Sequence, residues 1–149
     1  MKRIELIMVP HDSVHAVYPE ISHWLPKAAS FQALEWSRGK YRAEHIAAEI
    51  FSGAVALWLV SDEASGNTIG FITTKLAQRA EGHSLIIVHT AGEEGFLEEA
   101  VKCCMPRLEA HAKEYKCAGI EIIGRPGWTK FIGQYGFYAV PQVNYVKKF

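Results

Sequence analysis

Residues 54–78, AVALWLVSDEASGNTIGFITTKLAQ, decide how this chain folds. Two runs rich in Val, Leu, Ile, Phe and Thr flank a cluster of Ser, Asp, Gly and Asn, which is the composition of two strands joined by a turn that needs residues tolerant of positive φ. A third apolar run, SLIIVHT at 84–90, follows a second turn signal at Glu81 and Gly82. The three runs together predict an antiparallel meander.

On the C-terminal side, helical spacing appears at Leu97, Ala100, Val101, Cys104, Leu108, Ala112 and Tyr115, with Glu109 and Lys113 one turn apart. Pro106 within this run predicts a kink or a division. GIEII at 119–123 then reads as a short strand. Passing from 84–90 through a long helix to 119–123 requires a crossover, and a crossover implies parallel pairing. YAVPQVNYVKKF at 138–149 predicts two closing strands around Pro141 and Gln142.

On the N-terminal side, YRAEHIAAEIF at 41–51 is helical up to Gly53. Val14, Val17, Tyr18, Ile21, Trp24 and Leu25 follow helical spacing from an N-cap at Asp12 or Ser13, with Pro19 expected to split the helix and Pro26 to end it. RIELIMV at 3–9 suits a strand. With no repeat or linker, residues 1–149 predict a single α+β domain with a mixed sheet; at this length about 68–70% of the unfolded chain's surface can be buried.

Composition narrows the function. Lys plus Arg and Asp plus Glu number 16 each, so no basic excess exists to neutralise phosphates, and nucleic acid is not an expected direct partner. The apolar run from Ile4 to Val9 is short and holds Glu5, which fits neither a signal peptide nor a membrane span. Cys103, Cys104 and Cys117 lack CxxC spacing, so neither a disulfide framework nor a zinc site is predicted, and a reducing cytoplasm fits best. The adjacent Cys103 and Cys104 read as helix core. His11 with His15, and His45 with Glu49, have the i, i+4 spacing of metal pairs, but neither motif fixes a third ligand, and no metal is predicted. Trp24, Trp36, Trp58 and Trp128 read as core or surface anchors.

In ALWLVSDEASGNTIGFITT (56–74), HAKEYKCAGIEIIGRPGW (111–128) and the closing YGF (135–137), the chain resembles the GNAT N-acyltransferase superfamily, in particular its phage-type GNAT-like members. The resemblance covers most of the chain from Tyr41 onward. It implies a three-layer α+β fold whose mixed, mostly antiparallel sheet contains a splayed parallel strand pair and is flanked by helices. It also implies transfer of an acetyl or other acyl group from acyl-CoA, acetyl-CoA above all, to an amine on a small molecule or a protein. In that setting Ile87, Val88 and His89 would pair with the pantetheine arm. Gly92, Gly95 and Phe96 would lie against the pyrophosphate, where backbone N–H groups and a helix N-terminus suit an anion. Arg125 would hold a CoA phosphate, with Trp128 next in the cofactor-binding set.

Two departures stand beside the resemblance. TAGEEGFLEE at 90–99 sets Glu93 and Glu94 where the anion would lie, and like charges a few ångströms apart cost on the order of 1–4 kcal/mol. Many members protonate the departing thiolate with a Tyr four residues before the Gly of the closing Gly-Phe pair, and here that position is Ile132. Tyr135 is then the candidate acid, or a packing aromatic. An attacking amine must lose a proton, so a base is needed. His89 is the first candidate, placed by period-two alternation on the face of Leu85 and Ile87; the alternative is a structural histidine. Glu121 is the second, the alternative being a carboxylate that faces water or a lysine.

Two readings follow. One is an acyl-CoA-dependent N-acyltransferase. The other is a catalytically inactive GNAT-like protein, a phage structural or host-interaction protein with a virion or host protein as partner. A terminal strand with unpaired backbone groups also offers a route to a homodimer. The expected location is the cytoplasm, which for a phage-encoded protein means the host cytoplasm or the virion.

Overall fold

The computed structural model describes residues 3–31, 41–122, 132–140, 147 and 149. Strands β1 (Ile4–Met8), β2 (Ala56–Asp62), β3 (Thr68–Arg79), β4 (Gly82–Gly92) and β5 (Cys117–Ile122) form one sheet in sequence order. Helices α1 (Val14–Ile21), α2 (Leu25–Phe31) and α3 (Ala43–Ser52) lie between β1 and β2, and α4 (Phe96–Glu114) lies between β4 and β5. The first four strands pair antiparallel and β4 pairs parallel with β5, as the crossover demands.

The turn of the opening segment forms for the reasons its composition gives. Asp62 Oδ1 accepts the Ala64 N–H, the Asp62 carbonyl accepts the Gly66 N–H, and Gly66 takes φ +74. The β3–β4 turn is tighter, with Arg79 opposite Gly82 and Gly82 at φ +127. Both faces of the central strands are covered, which is why their sequences read as continuous apolar runs. On one face Val14, Ile21, Leu25, Ile46 and Ile50 from the first three helices pack on Leu57, Leu59, Phe71, Ile86 and Val88. On the other, Ala100, Cys104 and Leu108 of α4 pack on Trp58, Val60, Ile72 and Ile87.

Proline placement differs from expectation at Pro26, and at Pro106 the helix is not divided. The N-terminal helix does divide, at a 3-10 turn over Ser22–Trp24 just beyond Pro19. Pro26, however, does not end the helical region. It is the second residue of α2, in the first turn, where a missing N–H costs nothing. Pro106 does not divide α4, which runs unbroken from Phe96 to Glu114. Its ring faces solvent while Cys104, Met105, Leu108 and Ala112 are buried on either side, and that burial outweighs one lost backbone bond. At the C-terminus, Gly136 takes the left-handed cap at φ +89 after a 3-10 turn at Gly133–Tyr135. Residues 137–140, 147 and 149 carry no strand pairing, and the rest of the expected closing strands, 141–146 and 148, lies outside the described residues.

Candidate functional site

The site begins with one extra residue in β4. Thr73 of β3 stands opposite His89, but Thr74 stands opposite Ile87, so Val88 is a bulge. Strict alternation would put His89 with Leu85 and Ile87. The bulge reverses this: Ile87 faces α4, whereas Val88 and Ala91 pack with α1–α3 and His89 turns the same way. This corrects the face read from the sequence.

His89 is buried, with its side chain 0% exposed, and both ring nitrogens are engaged. Nδ1 lies 2.7 Å from Thr73 Oγ1 and Nε2 lies 2.8 Å from the Tyr41 hydroxyl. Thr73 Oγ1 also accepts the His89 backbone N–H at 3.0 Å. Tyr41 donates onward to Glu49 Oε1 at 3.4 Å. The tautomer that satisfies every donor has Nδ1 accepting from Thr73 and Nε2–H donating to Tyr41, whose own proton goes to Glu49. The result is a single directed chain, Thr73 to His89 to Tyr41 to Glu49, ending at a side chain that is 38% exposed.

Helical geometry supplies the outer half of this chain. Tyr41, His45 and Glu49 recur every four residues around the start of α3. The Tyr41 ring lies near-parallel to His45 at 5.5 Å and to His89 at 6.1 Å. His45 is spent on the helix start, where Nδ1 accepts the Arg42 N–H. Burial, and then the charge of Lys75, push the His89 imidazole down to about 4, so it is neutral at pH 7. Its 4.0 Å approach to Glu49 is accordingly a dipole contact and not an ion pair. Burial, and then Glu49, raise the Tyr41 phenol, which stays protonated.

The other site candidates fall elsewhere. Arg79 reaches across β4 to hold both oxygens of Glu121, at 2.8 and 3.1 Å. That bond, and a second from Ser84, hold the Glu121 carboxyl below the usual range and weaken it as a base. Both partners are well exposed, where salt and water screen an ion pair. Glu121→Gln is therefore expected to leave the urea midpoint of unfolding nearly unchanged; a large drop would show that the pair ties β5 to the hairpin. Gly92 closes β4 opposite Gly70, and Gly95 caps α4 at φ +76, with Phe96 the first helical residue. Glu93, Glu94, Glu98 and Glu99 are all exposed around that N-terminus, so the described residues there present carboxylates to solvent. Tyr135 is half-buried in its 3-10 turn. Arg125 and Trp128 lie outside the described residues, as does Trp36.

His15 stacks on Phe51 at 4.6 Å, and the His11 ring would sit 3.3 Å from a Cβ at Gly53. Neither joins a ligand set, and among the described residues no group of three or more His, Cys, Asp or Glu is arranged to hold a metal. Cys104 is buried in the α4 core and its thiol is pushed up to about 12, first by burial and then by Cys103. Among the described residues no helix is long and apolar enough to cross a membrane.

Sequence reasoning missed Tyr41 and Thr73. A signal for Tyr41 existed in the i, i+4, i+8 spacing with His45 and Glu49, but the partner that gives it meaning is 48 residues away.

No family model and no curated protein matches the sequence. Solved structures do match in shape. An aminoglycoside N-acetyltransferase in complex with CoA superposes with a TM-score of 0.69 at 11% identity, over 99% of this chain and 96% of that one. A ribosomal-protein-alanine N-acetyltransferase from Brucella melitensis biovar Abortus 2308 gives 0.65 at 15% identity, over 99% and 100%. A predicted acetyltransferase with acetyl-CoA from Clostridium acetobutylicum gives 0.63 at 11%, over 97% and 96%. The chain has the GNAT acetyltransferase fold. In this GNAT fold the parallel β4–β5 pair is described up to Ile87 opposite Ile122, and the Val88 bulge and His89 come immediately after that last rung.

Proposed function

We propose that this protein is a GNAT-type N-acetyltransferase, moving an acetyl group from acetyl-CoA to an amine on a small molecule or a protein. The end-to-end likeness to acetyltransferases, two of them solved with CoA or acetyl-CoA, carries the reading. In this reading Ile87, Val88 and His89 pair with the acyl arm and Gly92, Gly95 and Phe96 contact the phosphates, and Arg125 and Trp128, outside the described residues, are the remaining cofactor contacts proposed. Tyr135 is the acid nearest the fold's C-terminal turn. His89, with both its nitrogens occupied, serves as a fixed link in the buried chain and does not meet the amine itself. The free cysteines suit action in a reducing cytoplasm.

The test is calorimetric titration with acetyl-CoA. Saturable binding in the micromolar range is expected, lost in Gly95→Asp, which adds a fifth carboxylate at the α4 N-terminus. No heat at millimolar acetyl-CoA would sink the reading.

A second reading rests on one observation, the four exposed glutamates around that N-terminus. It makes the protein a GNAT-fold phage structural or host-interaction protein that binds a protein partner and no CoA. The same titration separates the two, because this reading requires a flat trace.

A further inference from the structure

Within the acetyl-transfer reading, the structure assigns the proton-accepting role to Glu49, with Tyr41 and His89 as the residues that position it. His89 offers no free nitrogen and no exposed surface, so it cannot itself touch an incoming amine. Every donor in the chain points outward, and the chain ends on a carboxylate open to solvent. That carboxylate is tethered at one oxygen. Tyr41 binds Oε1, its hydroxyl also meets His89 Nε2 at 2.8 Å, and its ring stacks on His45. A carboxylate fixed by a phenol, at the surface yet one residue's reach from β4, is a receptor for an ammonium group.

A primary ammonium gives one proton to Glu49, and the freed lone pair attacks the thioester carbon. The C–N bond forms, the C–S bond breaks, and the leaving thiolate takes the second proton from nitrogen, yielding amide and free thiol. Glu49 then releases its proton to water. Tyr41 and His89 keep their own protons throughout.

The test compares two nucleophiles that differ in their need for a base. A simple alkylamine such as propylamine is almost wholly protonated at neutral pH, as lysine is. Hydroxylamine is mostly unprotonated there and needs no base to become nucleophilic. With acetyl-CoA as donor and thiol release as the signal, Glu49→Gln is expected to lose about 100-fold or more in kcat/KM for propylamine and to keep its rate with hydroxylamine. Tyr41→Phe, which keeps the ring, should show a smaller loss with the same selectivity. Equal losses with both nucleophiles, or none with either, overturn the assignment to Glu49 and leave acetyl transfer standing. Absence of both acetyl-CoA binding and thiol release in the unaltered protein removes the underlying reading, and this one with it.

Discussion

Between pH 7 and pH 4 the folded protein is expected to lose about 3 kcal/mol of stability through His89 alone. Its imidazole is pushed from an ordinary 6.5 down to about 4 by burial and by Lys75. The unfolded chain therefore takes up a proton as pH falls through 6.5, while the folded chain refuses it until about 4. In that window the unfolded state binds more protons, so stability rises with pH, is complete above 6.5, and drains away below it. Urea unfolding of the unaltered protein and of His89→Gln at pH 7, 5.5 and 4 checks this. Glutamine retains a donor and an acceptor but cannot titrate, so the stability gap between the two proteins should narrow steadily toward pH 4. A constant gap would mean that the imidazole takes up its proton as readily in the folded state as in the unfolded one, and the directed chain to Glu49 would have to be redrawn.

Trp58→Ala is expected to be more damaging, by about 3–5 kcal/mol at pH 7. The indole is fully buried at the centre of β2. Its N–H donates to Thr74 Oγ1 at 2.9 Å, His111 meets it edge-on at 4.9 Å, and the Arg107 guanidinium lies 5.2 Å from the ring centre. Truncation removes the largest side chain of the α4-facing core and also orphans the buried Thr74 hydroxyl, so the upper end of the range applies. Against a total stability of about 5–15 kcal/mol for a domain, this leaves little margin. Trp58→Phe separates the two effects, because it restores most of the volume and none of the hydrogen bond. A loss below about 1.5 kcal/mol for Trp58→Ala in equilibrium unfolding would contradict the packing described.

Much of the fold was readable in the residues because each signal was local. The Asp62–Asn67 turn, the helix ending at Gly53 and the crossover from β4 to β5 each depend on neighbours a few positions apart, and each formed where expected. Pro26 did not end the helical region and Pro106 did not divide its helix, for a shared reason. The cost of a proline depends on whether the N–H it lacks would have been used and on what the flanking side chains bury, and tertiary packing decides both. The site was harder to see. His89 was found by residue type, but its face depended on the Val88 bulge, which leaves no mark in an apolar run. Tyr41, Thr73 and Glu49 become a chain with His89 only when the meander and α3 are brought together, so no spacing within the sequence announces it. Glu121 stood out as a charge among isoleucines, and its partner proved to be Arg79, 42 positions earlier.

The Val88 bulge also means that β4 carries two different phases of one sequence. Up to Ile87 odd-numbered positions belong to the α4 face; from His89 to Ala91 they belong to the opposite face. Placing the same residues in a regular strand, without the bulge at Val88, would leave every hydrophobic run intact and still exchange the strand's two sides beyond that point. The imidazole would then stand against α4, far from Tyr41. For aligning or grafting this strand, the place of the bulge before the histidine therefore carries more information than the identity of the residues around it.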